Sequence, residues 1–477
     1  MTPSSPPIPA DLAAVLQQAQ AARNASNWTA AIGLYLKAMS AAPKSAEIQH
    51  NLSLCLYGIG NHKAAIIAAE NALALKPALW QSKIILARSR KAQGEMETAD
   101  QVFSEVLTAD PLNASALLGR ADLAMNEFGD PLAAVRLVQP LWNDPSQRND
   151  AELTTLMASL YDRDIGSVEL TQQVMDFSRR ALRMPDFSFR PRPLRPLRPA
   201  SARPRVALLS PLLCVSPVYF LTIAGFRHVA KGCDIVVFNR GSKKDWATDA
   251  FREIAAEWLD VQHLPAPQLA QAIHDADIEV LYDLGGWMDP VGLQALSAKP
   301  ARQQFKWVGG QSITTGLTTF DGWIGDEAQS PTYLQPLYTE PLINIEGGYA
   351  TYTPPPYMPE PAAVKSDVPV IFANPAKVSR AFLQMLAALP GKKCFVHRQY
   401  KYARVRERIE MVLDPRQVEY VLPGSHQEAL EAVNQHKVML DTFPYSGGLT
   451  AREARALGVG VKTRVGELFC ERHGATL

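Results

Sequence analysis

The segment Leu440-Asp-Thr-Phe-Pro-Tyr-Ser-Gly-Gly-Leu-Thr-Ala-Arg-Glu-Ala454 has the residue types and spacing of an anion-binding turn. An apolar run, Val438-Met-Leu-Asp441, reads as a strand ending at Asp441; a glycine-containing turn follows, and a helix opens near Thr450. Backbone N–H groups at a helix start attract phosphate, and glycine lets phosphate approach the chain closely. The turn Gly447–Gly448 and the Thr450 hydroxyl are the candidate phosphate donors. Glu453, one turn further on, is placed either to accept hydrogen bonds from ribose hydroxyls or to face the positive end of the helix dipole. Many strand–turn–helix units carry Gly and Thr, so this segment alone names a chemistry and not an enzyme.

The elements around it alternate in type from Arg205 onwards. Short apolar runs at 206–210, 234–238, 278–282 and 304–308 read as strands, the third ending at Asp283-Leu-Gly-Gly286. The fourth leads into the polar loop Gly309-Gly-Gln-Ser-Ile-Thr-Thr-Gly316. A Pro-rich crossing at 353–361 interrupts the pattern, which restarts with strands at 369–372, 393–396, 418–421 and 438–441 and helices at 379–389, 404–412, 427–435 and 450–457. Strands alternating with helices imply parallel sheets with ligand sites at the strand C-terminal ends. Two such lobes suggest a GT-B arrangement with ligand between them, although the pattern also fits other two-lobed αβ proteins.

The first third is different. Pro43, Pro77, Pro111 and Pro145 are each 34 residues apart, as are Ala31, Ala65, Ala99 and Ala133, and Gly60 and Gly94. Tyr35, Ala69, Phe103 and Leu137 recur at the same period. Alanine suits the close crossing of two helices, and proline ends the second of them. A period of 34 with these offsets is the tetratricopeptide pattern, an α-solenoid whose concave surface binds a peptide or protein. The repeats run from about Leu12 to Pro145, and a degenerate helical stretch at 149–184 is expected to cap them. Asn51 and Asn113 are candidates for donating amides to a bound backbone, or are turn and surface asparagines. The run Arg-Pro-Arg-Pro-Leu-Arg-Pro-Leu-Arg-Pro at 190–199 reads as an extended basic spacer.

Composition bounds these readings. The chain has 477 residues, 47% hydrophobic and 20% charged, with a formal net charge of +1. That balance supports two to four globular domains and gives no overall attraction to nucleic acid or an anionic membrane. The five cysteines, Cys55, Cys214, Cys233, Cys394 and Cys470, are widely spaced and form no CxxC pair, which argues against a disulfide framework or a zinc site. No secretory signal and no apolar run of membrane-spanning length is visible. A cytoplasmic location is expected.

Four segments, taken in order, resemble the O-linked N-acetylglucosamine transferase and SPINDLY family. Asp441 to Thr450, with Ala456-Leu-Gly-Val459 and Val465-Gly-Glu-Leu-Phe-Cys-Glu-Arg472, is similar to its DTFPYNGxTT and PGExxxSR runs. Trp307 to Gly316, with Asp321 and Ser330-Pro331, resembles its WLGYPGTSG…MDY…SP stretch with one extra loop residue. Phe372-Ala-Asn-Pro-Ala-Lys377 is similar to its FNxxxK segment, and Asp283-Leu-Gly-Gly286 to its DLNG stretch. Together they cover roughly 205–477.

The resemblance implies a fold, α + α/β: a tetratricopeptide α-solenoid followed by a GT-B-like pair of Rossmann-type lobes. Its expected divisions are a flexible N-terminus at 1–9, helical repeats at 10–186, a Pro/Arg-rich linker at 187–204, an N-terminal lobe at 205–358 and a C-terminal nucleotide-sugar-binding lobe at 359–477. The last is expected to be incomplete, since the family continues with further helices. By position, Lys377 would offset the leaving-group charge of a diphosphate, as a metal does elsewhere. Asn374 would lie near the nucleotide; Gly447, Gly448 and Thr450 would hold phosphate and Glu453 the ribose; Thr314, Thr315 and Gly316 would face the sugar and pyrophosphate. No metal and no cofactor is implied, only a nucleotide-sugar substrate, with UDP-GlcNAc the first expectation and GDP-fucose the second.

The family's histidine-bearing DFGxHPxxH loop is replaced by Pro211 to Phe220, with Ser216 and Phe220 at the histidine positions, and neither can serve as a general base near pH 7. Gly448 and Leu449 stand where a turn histidine and the first threonine would be. Asp283 then becomes the candidate catalytic carboxylate, as base or sugar contact, or else a cap for the turn that follows it. The implied function is transfer of a sugar, GlcNAc first, to Ser or Thr of a protein held by the repeats. The alternatives are a polysaccharide- or flagellin-directed transferase and a catalytically inactive repeat scaffold. Homo-oligomerisation stays open.

Overall fold

The computed structural model describes residues 10–184, 187, 189 and 203–475. The expected flexible N-terminus at 1–9 and the basic spacer at 190–199 lie outside the described residues. The chain divides into two compact units: one holds residues up to Glu127 together with Ala133–Thr154, the other Phe128–Leu132 together with Thr155–Leu477.

In the first unit the helices are α1 (Ala10–Asn24), α2 (Trp28–Ala41), α3 (Ala46–Gly58), α4 (His62–Leu75), α5 (Trp80–Ala92), α6 (Met96–Ala109), α7 (Ala114–Asn126) and α8 (Pro131–Val138). The starts of α2, α4 and α6 are spaced at the 34-residue period of the landmarks, as are those of α3, α5 and α7. From α1 to α7 each helix packs on the next, and α5 also packs on both α3 and α7, as stacked helical hairpins require. Ser26, Gly60 and Gly94 all have positive φ (57°, 76° and 84°) and turn the chain from one helix of a hairpin into the other. Ala31, Ala65 and Ala99 have no exposed surface, and Tyr35, Ala69 and Phe103 are buried with them.

The fourth unit of the repeat departs by one residue. Its positive-φ position is Gly129, one place later than the period predicts. Ala134 and Val138, not Ala133 and Leu137, are therefore the fully buried residues. A 3₁₀ turn at Gln139–Asn143 absorbs the offset before Pro145.

The second unit begins with the end of α9 (Arg148–Ser159), then α10 (Ser167–Phe177) and one π turn at Ser178–Leu182. These helices were expected to close the repeat array, with a boundary at 186. The compact division falls near Thr155 instead, because residues after it pack on the sheets: the Ser178 hydroxyl, for example, donates to the Thr315 carbonyl (2.6 Å).

Two all-parallel sheets follow. The first has seven strands in the order β3-β2-β1-β4-β5-β6-β7: β1 (Arg205–Ser210), β2 (Asp234–Asn239), β3 (Ala255–Asp260), β4 (Val280–Asp283), β5 (Gln303–Lys306), β6 (Gly322–Gly325) and β7 (Leu342–Asn344). Its helices are α11 (Pro217–Val229), α12 (Trp246–Ile254), α13 (Ala266–Asp275) and α14 (Pro290–Leu296). The second has five strands in the order β10-β9-β8-β11-β12: β8 (Val370–Ile371), β9 (Lys393–Val396), β10 (Val418–Val421), β11 (Val438–Leu440) and β12 (Gly460–Lys462). Its crossovers are α15 (Arg380–Ala387), α16 (Ala403–Glu410), α17 (His426–Asn434) and α18 (Leu449–Ala456). Each order reverses once, between β1 and β4 and between β8 and β11, the arrangement of a doubly wound sheet with a crevice at the reversal. Continuous apolar runs make the central strands: Val206–Leu209 and Val370–Ile371 are all buried. Four strands, β3, β6, β7 and β12, lie at or near the edges, where weaker apolar runs suffice, and sequence periodicity did not reveal them.

One tie holds the first crevice. Lys306, fully buried at the end of β5, donates to the carbonyls of Asp283 (3.0 Å), Val308 (2.9 Å) and Gly309 (2.7 Å) and lies 3.4 Å from the Asp283 carboxylate. The loop it gathers passes so close to the 284–286 turn that a Cβ on Gly310 would sit 2.0 Å from the Gly285 carbonyl oxygen. Removing one partner of a buried charge pair costs about 3–5 kcal/mol. Lys306→Met is therefore expected to lower unfolding free energy by about that much in a denaturant titration. Lys392→Met, at an exposed lysine of the same unit, is expected to change it by under about 0.5 kcal/mol. Equal effects would show that the tie contributes nothing.

Candidate functional site

At the second reversal point the C-terminal ends of β8 and β11 send two loops outwards side by side. After β8, Asn374 caps a 3₁₀ turn at Pro375–Lys377 by accepting from the Ala376 N–H (2.9 Å). After β11, the Asp441 carboxylate accepts from the Gly447 N–H (2.8 Å) and from the Thr463 hydroxyl beyond β12 (2.7 Å), which closes the loop over six residues. A Cβ on Gly447 would fall 2.3 Å from the Thr450 hydroxyl, so a larger residue there would displace that side chain, whereas Gly448 has ordinary space around it.

The loops are then laced together. The Ser379 hydroxyl donates to the Phe443 carbonyl (2.6 Å), and Lys377 Nζ donates to the Ser446 carbonyl (2.9 Å). The same ammonium lies 4.4 Å from the centre of the Tyr445 ring, a cation–π contact. Burial pushes the Lys377 amine down from its ordinary 10.5 to about 8, against the opposing pull of Asp441. Two residues past Ser446, α18 starts at Gly448 with no side-chain cap, and Thr450 is half-buried in its first turn. An uncapped helix start beside a partly used ammonium, at the reversal of a parallel sheet, is an arrangement that attracts an anion.

Of the expected residues, Lys377, Asn374, Gly447, Gly448 and Thr450 are thus brought to one edge. Glu453 is on α18 as expected, but it is 1% exposed and its Oε1 lies 2.8 Å from His426 Nε2. His426 Nδ1 in turn lies 3.0 Å from the Tyr357 hydroxyl. The second oxygen, Glu453 Oε2, has no hydrogen-bond partner among the described residues.

The first lobe departs from expectation more. Thr314 and Thr315 were expected to face a sugar and pyrophosphate, and both are fully buried. Buried Glu340 accepts from the Thr314 hydroxyl (2.6 Å), from the Thr315 N–H (2.7 Å) and from the Thr315 hydroxyl. Gly316 (φ 71°) packs against Ser178 and Met175. Gly309 and Gly310 have positive φ, and the part of this loop that meets the second lobe is Gln311–Ser312. The Ser312 hydroxyl is 2.8 Å from that of Tyr445, and the Gln311 carbonyl is 3.0 Å from His473 Nε2. Asp283, the candidate base, is buried and accepts from the Gly285 and Gly286 N–H groups (3.0 and 3.1 Å) beside Lys306, the turn-capping arrangement. Ser216 caps α11, and Phe220 is a core residue.

Sequence reasoning missed Tyr445 as the aromatic floor under Lys377, and it missed His426, His473 and Glu340. His473 sits against Gly448, and burial pushes its imidazole down to about 3, so it is neutral at pH 7. A lysine inside the apolar run Phe305-Lys-Trp-Val308 was a usable signal for Lys306. Nothing local marks Glu340, which lies 25 residues from its partner Thr315.

Among the described residues no helix is long and apolar enough to cross a membrane, and no group of three or more His, Cys, Asp or Glu could hold a metal ion. A tetratricopeptide repeat family matches residues 16–80. The chain is 26% identical over 356 residues to a probable UDP-N-acetylglucosamine–peptide N-acetylglucosaminyltransferase SPINDLY of Solanum lycopersicum, covering 70% of this chain and 38% of the relative. It is 26% identical over 279 residues to the protein of the same description from Petunia hybrida, covering 54% and 30%. The chain thus spans less than two-fifths of the length of these relatives. A solved O-GlcNAc transferase from Thermobaculum terrenum shares the fold, with a TM-score of 0.64 at 22% identity over 97% of this chain and 84% of that one. With helical repeats of a 34-residue period and two parallel sheets, the chain is similar in sequence to SPINDLY proteins and shares its fold with an O-GlcNAc transferase.

Proposed function

We propose that this chain binds a nucleotide sugar at the β8/β11 reversal and transfers the sugar to a Ser or Thr hydroxyl of a protein, with GlcNAc from UDP-GlcNAc as the first donor. The observation that carries the reading is the Lys377 ammonium, held by one carbonyl and one aromatic ring beside the uncapped start of α18. In the reaction the bond from the sugar's anomeric carbon to the diphosphate oxygen breaks, and a bond to the hydroxyl oxygen forms. The hydroxyl proton leaves to solvent or a base. The ammonium and the helix start stabilise the charge that develops on the leaving diphosphate. The relatives' printed names support this donor and acceptor class, and the helical repeats support a protein acceptor or partner.

A second reading, a nucleotide-binding scaffold without turnover, is favoured by the carboxylates. Asp283 and Asp441 are spent on backbone N–H groups, and Glu453 is paired with His426. The second Glu453 oxygen has no hydrogen-bond partner among the described residues, but it is buried.

Calorimetric titration with UDP, UDP-GlcNAc and GDP-fucose, without added metal, tests the shared part of both readings. One nucleotide is expected to bind, and Lys377→Ala to weaken it about 10- to 100-fold, the worth of a charge-assisted hydrogen bond. Absence of binding to all three would overturn both. Radiolabel transfer from the donor that binds to protein acceptors in a lysate then separates transferase from scaffold.

The amine also predicts a pH dependence. Its charged form is penalised by burial, so it loses its proton near pH 8, well before a solvated lysine. A bound diphosphate favours the charged form, so binding at pH 8.5 should take up protons and affinity should fall as pH rises through 8. Titrations in buffers of different ionisation enthalpy measure the uptake. Lys377→Ala is expected to abolish it, and a variant that retained it would remove the amine from the site.

A further inference from the structure

Lys377 is flanked along the chain by two points that the preceding helical segment grips. On one side is Pro375. Gly129, just ahead of α8 in the Phe128–Leu132 segment of the same compact unit, has φ 61°, and a Cβ there would lie 2.4 Å from Pro375 Cβ and 2.6 Å from its carbonyl carbon. On the other side is Arg380. Asp162, in the turn between α9 and α10, accepts from the Arg380 N–H (2.9 Å) and from its Nε (3.0 Å).

The residues beside Asp162 reach the other two loops of the site. The Tyr161 ring stacks on the Tyr445 ring, with centroids 4.8 Å apart and planes 10° from parallel. Tyr445 is the ring against which Lys377 rests. Arg163 forms a buried ion pair with Glu471. Its guanidinium is oriented by the carbonyls of Ile165 (3.2 Å) and Ser159 (3.3 Å). Glu471 in turn accepts from the Glu467 and Leu468 N–H groups (2.8 and 3.1 Å), and the neighbouring Cys470 carbonyl accepts from the Ser446 N–H (2.9 Å). Three consecutive residues therefore hold three separate loops: the one carrying Lys377, the one carrying Tyr445 and Thr450, and the 466–475 segment behind them.

We propose that Tyr161, Asp162, Arg163 and Gly129 are positioning residues that fix the Lys377 amine, with Tyr161 acting through the Tyr445 ring. None of them need touch a ligand. Their task is to hold an amine of low solvation in one place, so that little order has to be gained when an anion arrives. The importance of the amine for nucleotide binding rests on the function proposed above; the fixing of the amine does not.

The test uses the full chain and the variants Tyr161→Ala, Tyr161→Leu and Tyr161→Phe. Lys377 acetylation by acetic anhydride is followed across pH by peptide mapping, UDP affinity by calorimetry and folding by circular dichroism. Tyr161→Phe keeps the ring and is expected to match the unmodified chain in all three. Tyr161→Ala opens the amine to water, so the midpoint of its labelling should move to higher pH, and UDP binding should weaken about 3- to 10-fold, the range of a partly desolvated cation–π contact. Tyr161→Leu keeps the apolar volume without the ring and gives the same reading if the alanine variant does not fold. A folded Ala or Leu variant with an unmoved Lys377 midpoint overturns the proposal, since a merely structural tyrosine would change only melting. If the unmodified chain binds no UDP, the nucleotide reading fails while the labelling midpoint still decides this one.

Discussion

Every strand pairing in both sheets is parallel, and that single constraint places the candidate site. A parallel strand can reach its neighbour only through a crossover, so each strand-to-helix turn emerges at the same edge of its sheet. Where the order reverses, the two adjacent turns diverge and leave a crevice. Asn374–Lys377 and Asp441–Thr450 are the two turns at such a point, 64 or more residues apart in the chain, made neighbours by the pairing of β8 with β11 and then laced by side-chain bonds. The equivalent point in the first sheet holds Ser210 and the turn after Asp283, and there the Ser210 hydroxyl donates to the Leu284 carbonyl (2.9 Å).

Lys306, fully buried, and Lys377, half-buried, show the difference between a tie and a candidate site. An ammonium has three protons to donate. Lys306 gives them to three carbonyls and adds a carboxylate, so its charge is spent within the fold. Lys377 has one carbonyl and the face of a ring. Burial presses both amines towards neutrality, but only Lys377 keeps donor capacity towards the loop edge. The carboxylates follow the opposite rule. Asp283, Asp441 and Glu340 are consumed by backbone N–H groups and hydroxyls of the loops they organise. At the β8/β11 edge Lys377 is the group that keeps donor capacity, while the second Glu453 oxygen is buried without a partner.

The helical segment ahead of the sheets belongs to this chemistry through its turns. Helix ends carry the polar and irregular residues that can reach across to another loop, whereas the helix faces are occupied with their own packing. The turn at Tyr161–Arg163 and the one-residue shift that brings Gly129 to its positive-φ position both fall where the 34-residue pattern weakens. Relaxing the repeat there frees those residues for contacts that a regular repeat would not make.

Much of the fold was written in local pattern. The 34-residue spacing of Pro, Ala and Gly determined the helical hairpins, because each landmark answers to a local need: a helix stop, a close crossing or a positive φ. Apolar runs separated by helical stretches determined the central strands, and the Asp441–Thr450 run determined a strand, a tight glycine turn and a helix start. Edge strands escaped because partial burial leaves little periodicity. The side-chain partners were decided only in the tertiary structure. Whether Thr314 and Thr315 face a ligand depends on Glu340, whether Glu453 is free depends on His426, and whether Lys377 is a solvated lysine or a half-buried one depends on Tyr445 and, behind it, Tyr161. Hydrogen bonds and ring contacts between residues far apart in the chain leave no local signature, and they alone settle which charges are used up and which remain.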